Sequence, residues 1–231
     1  MTKNIKTLIR RAAGVFCLGG MMLSAGLFTS CTEKDNTVEE FADWQSKNET
    51  YWNKLYTATQ QKIKSGDTSW KIILNYSYQN QKQTSGSALT YSPEDYIIAH
   101  VEQAGAGTTS PLYSDSVSMH YMGRLIPSTT YTSGLIFDKS WSNDTFNATT
   151  SRPNHSYIGL SYDSKGKPIS LVDGFTTALM SMHRGDHWTV YIPHQLGYGT
   201  SASGTVPAYS TLIFDLRLVD FSHPGTKLKD S

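Results

Sequence analysis

Residues 173–193 read Asp173-Gly-Phe-Thr-Thr-Ala-Leu-Met-Ser-Met182-His-Arg-Gly185-Asp-His-Trp188-Thr-Val-Tyr-Ile-Pro193. A short helical segment spans 174–182, Gly185 marks a turn, and Trp188 opens a β-branched and aromatic strand over 188–192. Upstream, 70–78 (Trp-Lys-Ile-Ile-Leu-Asn-Tyr-Ser-Tyr), 95–102, 116–125 and 135–137 read as strands, and 211–221 reads as a last strand. Polar runs at 79–88, 127–133 and 142–156 read as loops, and the tail 223–231 is polar. One short helix among many strands predicts an α+β domain, an antiparallel sheet wrapped over that helix. No internal repeat is evident.

An amphipathic helix is expected ahead of the sheet, over 38–64. Phe41, Trp44, Trp52, Leu55, Thr59 and Ile63 recur at helical spacing, with charged residues between them. Acids near its start and lysines near its end complement the helix dipole, and Gly66 stands where a stop is expected. The aromatic stripe reads as a packing face against the main domain, with a dimer contact as the alternative.

The 231 residues carry 20 basic and 19 acidic side chains, for a net charge of +1, so nothing argues for a nucleic-acid partner. Fourteen Tyr and five Trp separated by Ser, Thr and Gly favour β-structure with long polar loops. His183 and His187 are four apart but straddle Gly185, which does not make a helical metal face; no metal or cofactor is expected. Arg184-Gly-Asp186 is an adhesion tripeptide by composition and is read as a turn.

The N-terminus has the makings of an export signal. Lys3, Lys6, Arg10 and Arg11 precede an apolar stretch, 12–28, too short and Gly-rich for a membrane span. The following Phe28-Thr-Ser-Cys31 resembles a bacterial lipoprotein signal, which implies lipidation of Cys31 and attachment to a membrane through the N-terminal lipid. Cys17, inside the apolar stretch, is the only other cysteine, so the exported chain has no disulfide option. The resulting expectation is a lipid-anchored protein of the cell envelope, on the outer membrane and facing the periplasm or the surface. A plain secretory signal cleaved nearby is the alternative.

Several segments, taken jointly, carry a stronger resemblance. These are Ser116-Val-Ser-Met-His-Tyr121-Met-Gly-Arg-Leu125, Phe137-Asp138, Leu171-Val-Asp-Gly-Phe175, the 173–193 stretch, Gly197-Tyr-Gly199, Val206-Pro207 and Thr211-Leu-Ile-Phe-Asp-Leu216. In order and spacing they resemble the FKBP-type peptidyl-prolyl isomerases over roughly 95–221. The resemblance implies a strongly twisted antiparallel FKBP-like sheet and an isomerase domain over 91–222; with the readings above, the chain divides into signal peptide (1–30), tether, helix and extra strand (31–90), isomerase domain (91–222) and polar tail (223–231). It also implies an X–Pro isomerase assisting the folding of exported proteins, with proline-containing polypeptides as substrates and a macrolide as a possible ligand.

The resemblance assigns Tyr121, Phe137, Asp138 and Tyr198 to catalysis. Leu171, Val172, Phe175, Val206 and Phe214 are assigned to substrate binding. Phe175 stands at the pocket floor, where the best-known members carry Trp. The segment 139–173 is longer than in minimal members, and Phe146 and Tyr157 are both candidates for a second pocket phenylalanine. Singly, Phe137, Val172 and Phe214 also suit an ordinary core, Tyr121 and Tyr198 suit local backbone bonds, and Asp138 suits a turn. Jointly they offer no nucleophile–base pair, which suits a reaction that makes and breaks no covalent bond. The alternatives are an inactive FKBP-like binding lipoprotein and a surface lipoprotein that binds glycans or partners.

Overall fold

The computed structural model describes residues 39–82 and 88–228. The expected signal segment, Cys31 and Val38 lie outside the described residues. Helix α1, Trp44–Lys64, starts later than expected, because 40–43 form a turn and Asp43 enters it with φ 53. The acids expected to serve the helix dipole therefore precede it, and its first turn holds none. Glu40 instead accepts hydrogen bonds from the Ser128 hydroxyl and the Thr130 N–H, which together pull its carboxyl down to about 2. The lysines of the last turn, Lys62 and Lys64, are as read.

The buried face of α1 is Trp44, Asn48, Trp52 and Thr59, at helical spacing. Phe41 packs edge-on against Trp44 at 4.8 Å, whereas Ile63 at the far end is 41% exposed. This face packs on the main domain, as the stripe predicts. Trp44 Nε1 donates to Ser210 Oγ at 2.8 Å, and Trp52 Nε1 donates to the Pro93 carbonyl at 3.2 Å. Buried Asn48 uses both ends of its amide: Nδ2 donates to the Trp44 carbonyl at 2.8 Å, and Oδ1 accepts the Thr211 N–H at 2.7 Å.

The strands are β1 Trp70–Leu74, β2 Tyr96–Gln103, β3 Ser116–Arg124, β4 Ile136–Lys139, β5 Asn154–Tyr157, and the small hairpin β6 Ser161–Tyr162 with β7 Pro168–Ile169. Helix α2, Asp173–Leu179, follows, then β8 His187–Ile192 and β9 Leu212–Ser222. The first strand is shorter than the expected 70–78, since 76–80 turn. The segment read as loop over 142–156 ends in β5. Every pairing is antiparallel, in the order β1-β2-β8-β9-β3, and β5 and β4 cover successive halves of the outer edge of β3.

The core lies between this sheet and α2, six of whose seven residues are buried. Ile97, Val117, Met119, Trp188, Val190 and Leu216 pack on Phe175, Ala178 and Leu179. Each Ile, Val, Met, Leu or Phe among them, fully buried, contributes about 1.5–3 kcal/mol. Gly174 lets the helix lie this close: a Cβ there would fall 2.3 Å from Ile192 Cγ2.

Asn48 ties α1 to the start of β9 through one buried hydrogen bond, its Oδ1 accepting the Thr211 N–H. Asn48→Ala leaves the Thr211 N–H buried without its acceptor and is expected to cost about 1–3 kcal/mol. Urea unfolding with an unchanged m-value checks this.

Candidate active site

Side chains alternate along β3, so Met119, Tyr121 and Gly123 face the α2 side of the sheet. Strand register sets Phe214 of β9 directly opposite Gly123. Phe137 arrives from β4, Phe175 rises from the first turn of α2, and Leu171 and Val172 lead into that helix. Tyr198 comes from the loop after the His194–Leu196 turn. Met119, Tyr121, Phe137, Asp138, Asn154, Ser170, Leu171, Val172, Phe175, Tyr198 and Phe214 line one open cavity of about 150 Å³.

Its floor and walls are edge-on aromatic contacts, the geometry ring quadrupoles favour. Phe175 meets Phe214 at 4.8 Å and Tyr121 at 5.9 Å, and Phe137 meets Phe214 at 5.6 Å. The two phenylalanines close over Gly123 because it has no side chain. A Cβ there would lie 2.5 Å from Phe137 Cζ and 2.7 Å from Phe214 Cε1.

The polar groups sit at the mouth. Tyr121 donates its phenol hydrogen to Asp138 Oδ2 at 2.8 Å. At Tyr121 the β4 and β5 ladders both break off, and Ser140 fills the gap. Its N–H donates to the Tyr121 carbonyl at 2.9 Å, and its Oγ accepts the Tyr121 N–H at 3.0 Å. Burial, then the hydrogen bond to Asp138, push the Tyr121 phenol above the ordinary range. Burial, then the charge of Asp138, do the same to Tyr198. The Tyr198 hydroxyl has no hydrogen-bond partner among the described residues, and the residue is 40% exposed.

Eight of the nine side chains assigned from the sequence therefore converge. The ninth, Val206, is 3% exposed and packs in the core behind the wall; it does not line the cavity. The second phenylalanine also resolves differently from either candidate. Phe146 lies on the outer face of the sheet, against His120 at 4.8 Å and Trp141 at 5.2 Å, with the Arg217 guanidinium 4.4 Å over its ring. Tyr157 is 60% exposed and does not line this cavity. What the long segment sends into the cavity is Asn154 and Ser170, with Leu171 and Val172.

Sequence reasoning did not single out Met119, Gly123, Ser140, Asn154 or Ser170. A glycine inside a strand pattern is a signal of close approach, and Gly123 carried it. Asn154 carried none, because its strand is four polar residues inside a polar run. Arg184-Gly-Asp186 is structural. Arg184 pairs with Asp220, and buried Asp186 accepts the Gly105 N–H at 2.6 Å and the His183 N–H at 2.8 Å.

Residues 107–219 match the profile of the FKBP-type peptidyl-prolyl cis-trans isomerases. That stretch, just under half of the chain, is an FKBP-type domain. The chain is 34% identical over 149 residues to the macrophage infectivity potentiator of Trypanosoma cruzi, covering 64% of this chain and 63% of that protein. It is 31% identical over 125 residues to the peptidyl-prolyl cis-trans isomerase Mip of Coxiella burnetii, covering 52% of this chain and 42% of that protein. The chain thus spans less than two thirds of the length of these curated relatives. Among solved structures, FkpA from Escherichia coli is similar over 78% of this chain and 62% of that one, at 22% identity with a TM-score of 0.48.

The Tyr121–Asp138 contact predicts a titration. Asp138→Asn removes the carboxylate's charge, so the Tyr121 phenol ionises at lower pH than in the parent protein while staying elevated by burial. Ultraviolet difference titration, with Tyr121→Phe to assign the signal, checks the shift.

Proposed function

We propose that this protein is a peptidyl-prolyl cis-trans isomerase that rotates X–Pro peptide bonds in exported polypeptides. The observation that carries the reading is the convergence of Tyr121, Asp138, Phe137, Phe175, Phe214, Val172, Leu171 and Tyr198 on one cavity. Lipidation at Cys31, a place in the cell envelope and a part in folding exported chains belong to the same proposal and rest on the N-terminal sequence alone.

The uncatalysed barrier, about 18–20 kcal/mol, comes from amide resonance, which places negative charge on oxygen and holds the bond planar. Burying the three methylenes of a proline ring against Phe175, Phe137 and Phe214 supplies about 2.4 kcal/mol of binding. The same rings exclude water from the adjoining amide, and a water-poor site disfavours the charge-separated planar form relative to the twisted one. Asp138, its position fixed by the Tyr121 phenol, adds negative charge beside the amide oxygen and opposes the planar form further. The Val172 N–H belongs to neither ladder nor helix and is placed to hold a carbonyl beside the proline, with the Tyr198 hydroxyl holding another. Binding energy then favours the twisted geometry, and no proton changes hands.

A fluorescence assay on proline tetrapeptides with the purified chain tests this. Acceleration above buffer is the expected result; ligand binding by a folded protein with no acceleration would mark the inactive docking reading instead. Because both phenols lie above their ordinary range, kcat/KM stays flat from about pH 6 to about pH 9. Tyr198→Phe loses one hydrogen bond of roughly 1 kcal/mol and lowers kcat/KM by about fivefold.

A further inference from the structure

Between Asn154 and Ser170 the chain leaves the cavity wall and returns to it, since both residues line the cavity. On the way it builds the β6–β7 hairpin, whose register sets Tyr162 opposite Pro168 and Ser161 opposite Ile169. Opposite residues share a face and neighbours alternate, so Tyr162 and Ile169 lie on different faces of the hairpin. Both are exposed, at 64% and 50%, and so is Leu160 just ahead of them, at 52%. Single apolar side chains in water are ordinary, but here three large ones fall between 160 and 169. A two-stranded ribbon cannot shelter them by itself. What shapes the hairpin is polar: the Asp163 carboxylate accepts the Lys165 and Lys167 N–H groups at 2.9 and 2.8 Å. At its base the Tyr113 ring is seated on Gly159, where a Cβ would lie 2.7 Å from ring atom Cε1.

From this we infer that the hairpin is a docking surface for the non-native polypeptide that carries the target proline, gripping apolar side chains a few residues away from the ring. The inference rests on the isomerase reading and names its substrate class: extended chains with exposed aliphatic and aromatic residues. The surface runs on directly from the cavity. Pro168 is two residues from Ser170, at most about 7 Å of chain, and Tyr162 lies one strand spacing, about 5 Å, beyond it. An extended polypeptide covers that distance in three or four residues. A side chain so placed meets Tyr162 while the ring sits on Phe175, and its capture raises the effective concentration of the proline at the cavity. Tyrosine joins a wide apolar ring to a hydroxyl that stays wet, which suits brief contact with varied sequences. A second copy of this chain fits less well, because a stable dimer buries about 800 Å² on each partner, more than one face of so small a hairpin presents.

The test uses the full chain and three capped peptides. One is Ala-Leu-Pro-Phe, too short to reach the hairpin; the others carry that core between two arms, Leu-Ser-Phe-Ser in one peptide and Gln-Ser-Gln-Ser in the other. Expected is a kcat/KM for the apolar-armed peptide about fivefold to thirtyfold above that for the polar-armed one, carried by KM rather than kcat. The double variant Leu160→Ser, Tyr162→Ser brings that ratio close to one and leaves the rate on the short peptide unchanged. A ratio near one in the parent protein, or a ratio that the double variant keeps, overturns the inference. So does sedimentation that shows a dimer of the parent protein and a monomer of the double variant, which assigns the hairpin to a second copy instead. Turnover of all three peptides without an advantage for the apolar arms sinks this inference alone, whereas no turnover of any sinks the isomerase reading with it.

Discussion

The edge-on closure of Phe137 and Phe214 over Gly123 is the contact on which the rest of the site depends. It exists because the β3–β9 ladder runs unbroken through Gly123↔Phe214, with one irregularity nearer its other end, between Ser118 and Met119. A shift of one residue along that ladder would send Tyr121 and Phe214 to the outer face and empty the cavity. The cavity is therefore a by-product of register, and register is held by the core on the α2 side. Loops contribute the groups that vary: Tyr198 at the mouth, Asn154 and Ser170 on the rim.

Helix α1 extends this logic away from the pocket. It docks at the start of β9 through Trp44 and Asn48, and on Pro93 ahead of β2 through Trp52, next to the 197–209 loop that presents Tyr198. That loop closes on itself through the Gly199 N–H to the His194 carbonyl at 2.7 Å and the Tyr209 N–H to the Gly199 carbonyl at 2.9 Å. Ser210, which accepts from Trp44, in turn donates to the Pro207 carbonyl at 2.7 Å. The helix thus braces the loop it packs beside. On the opposite face of the sheet, Phe146, backed by Trp141, covers His120, whose burial, with the Arg217 charge, favours its neutral form.

Much of the fold was legible because two periods dominate the sequence. The α2 stretch and the strands from β8 to β9 announce themselves by apolar and β-branched residues, and their ends shift by only a few positions. Acids ahead of α1 looked like helix residues because Glu39 and Glu40 suit a first turn, but Glu40 finds better donors in the Ser128–Tyr131 loop. The cavity was legible where aromatic residues sit inside strands, as Tyr121, Phe137 and Phe214 do. It was not legible across 139–173, where burial is slight. Strand β5 has the composition of a loop and exists because β3 offers it an edge. Phe146, the natural aromatic candidate, is drawn to Arg217 and His120 on the other face, and Val206 sinks into the core. Sequence spacing carries no information about which face a loop residue reaches.

The proposed activity requires one cavity both to grip a proline ring and to speed rotation of the bond before it. Exchange spectroscopy on a proline tetrapeptide with substoichiometric protein measures both together. Exchange cross-peaks between cis and trans resonances are expected on a subsecond scale, against tens to hundreds of seconds uncatalysed, and vanish when Phe175→Ala empties the floor. Exchange that survives that substitution in full, or no exchange with a folded parent protein, contradicts the proposal.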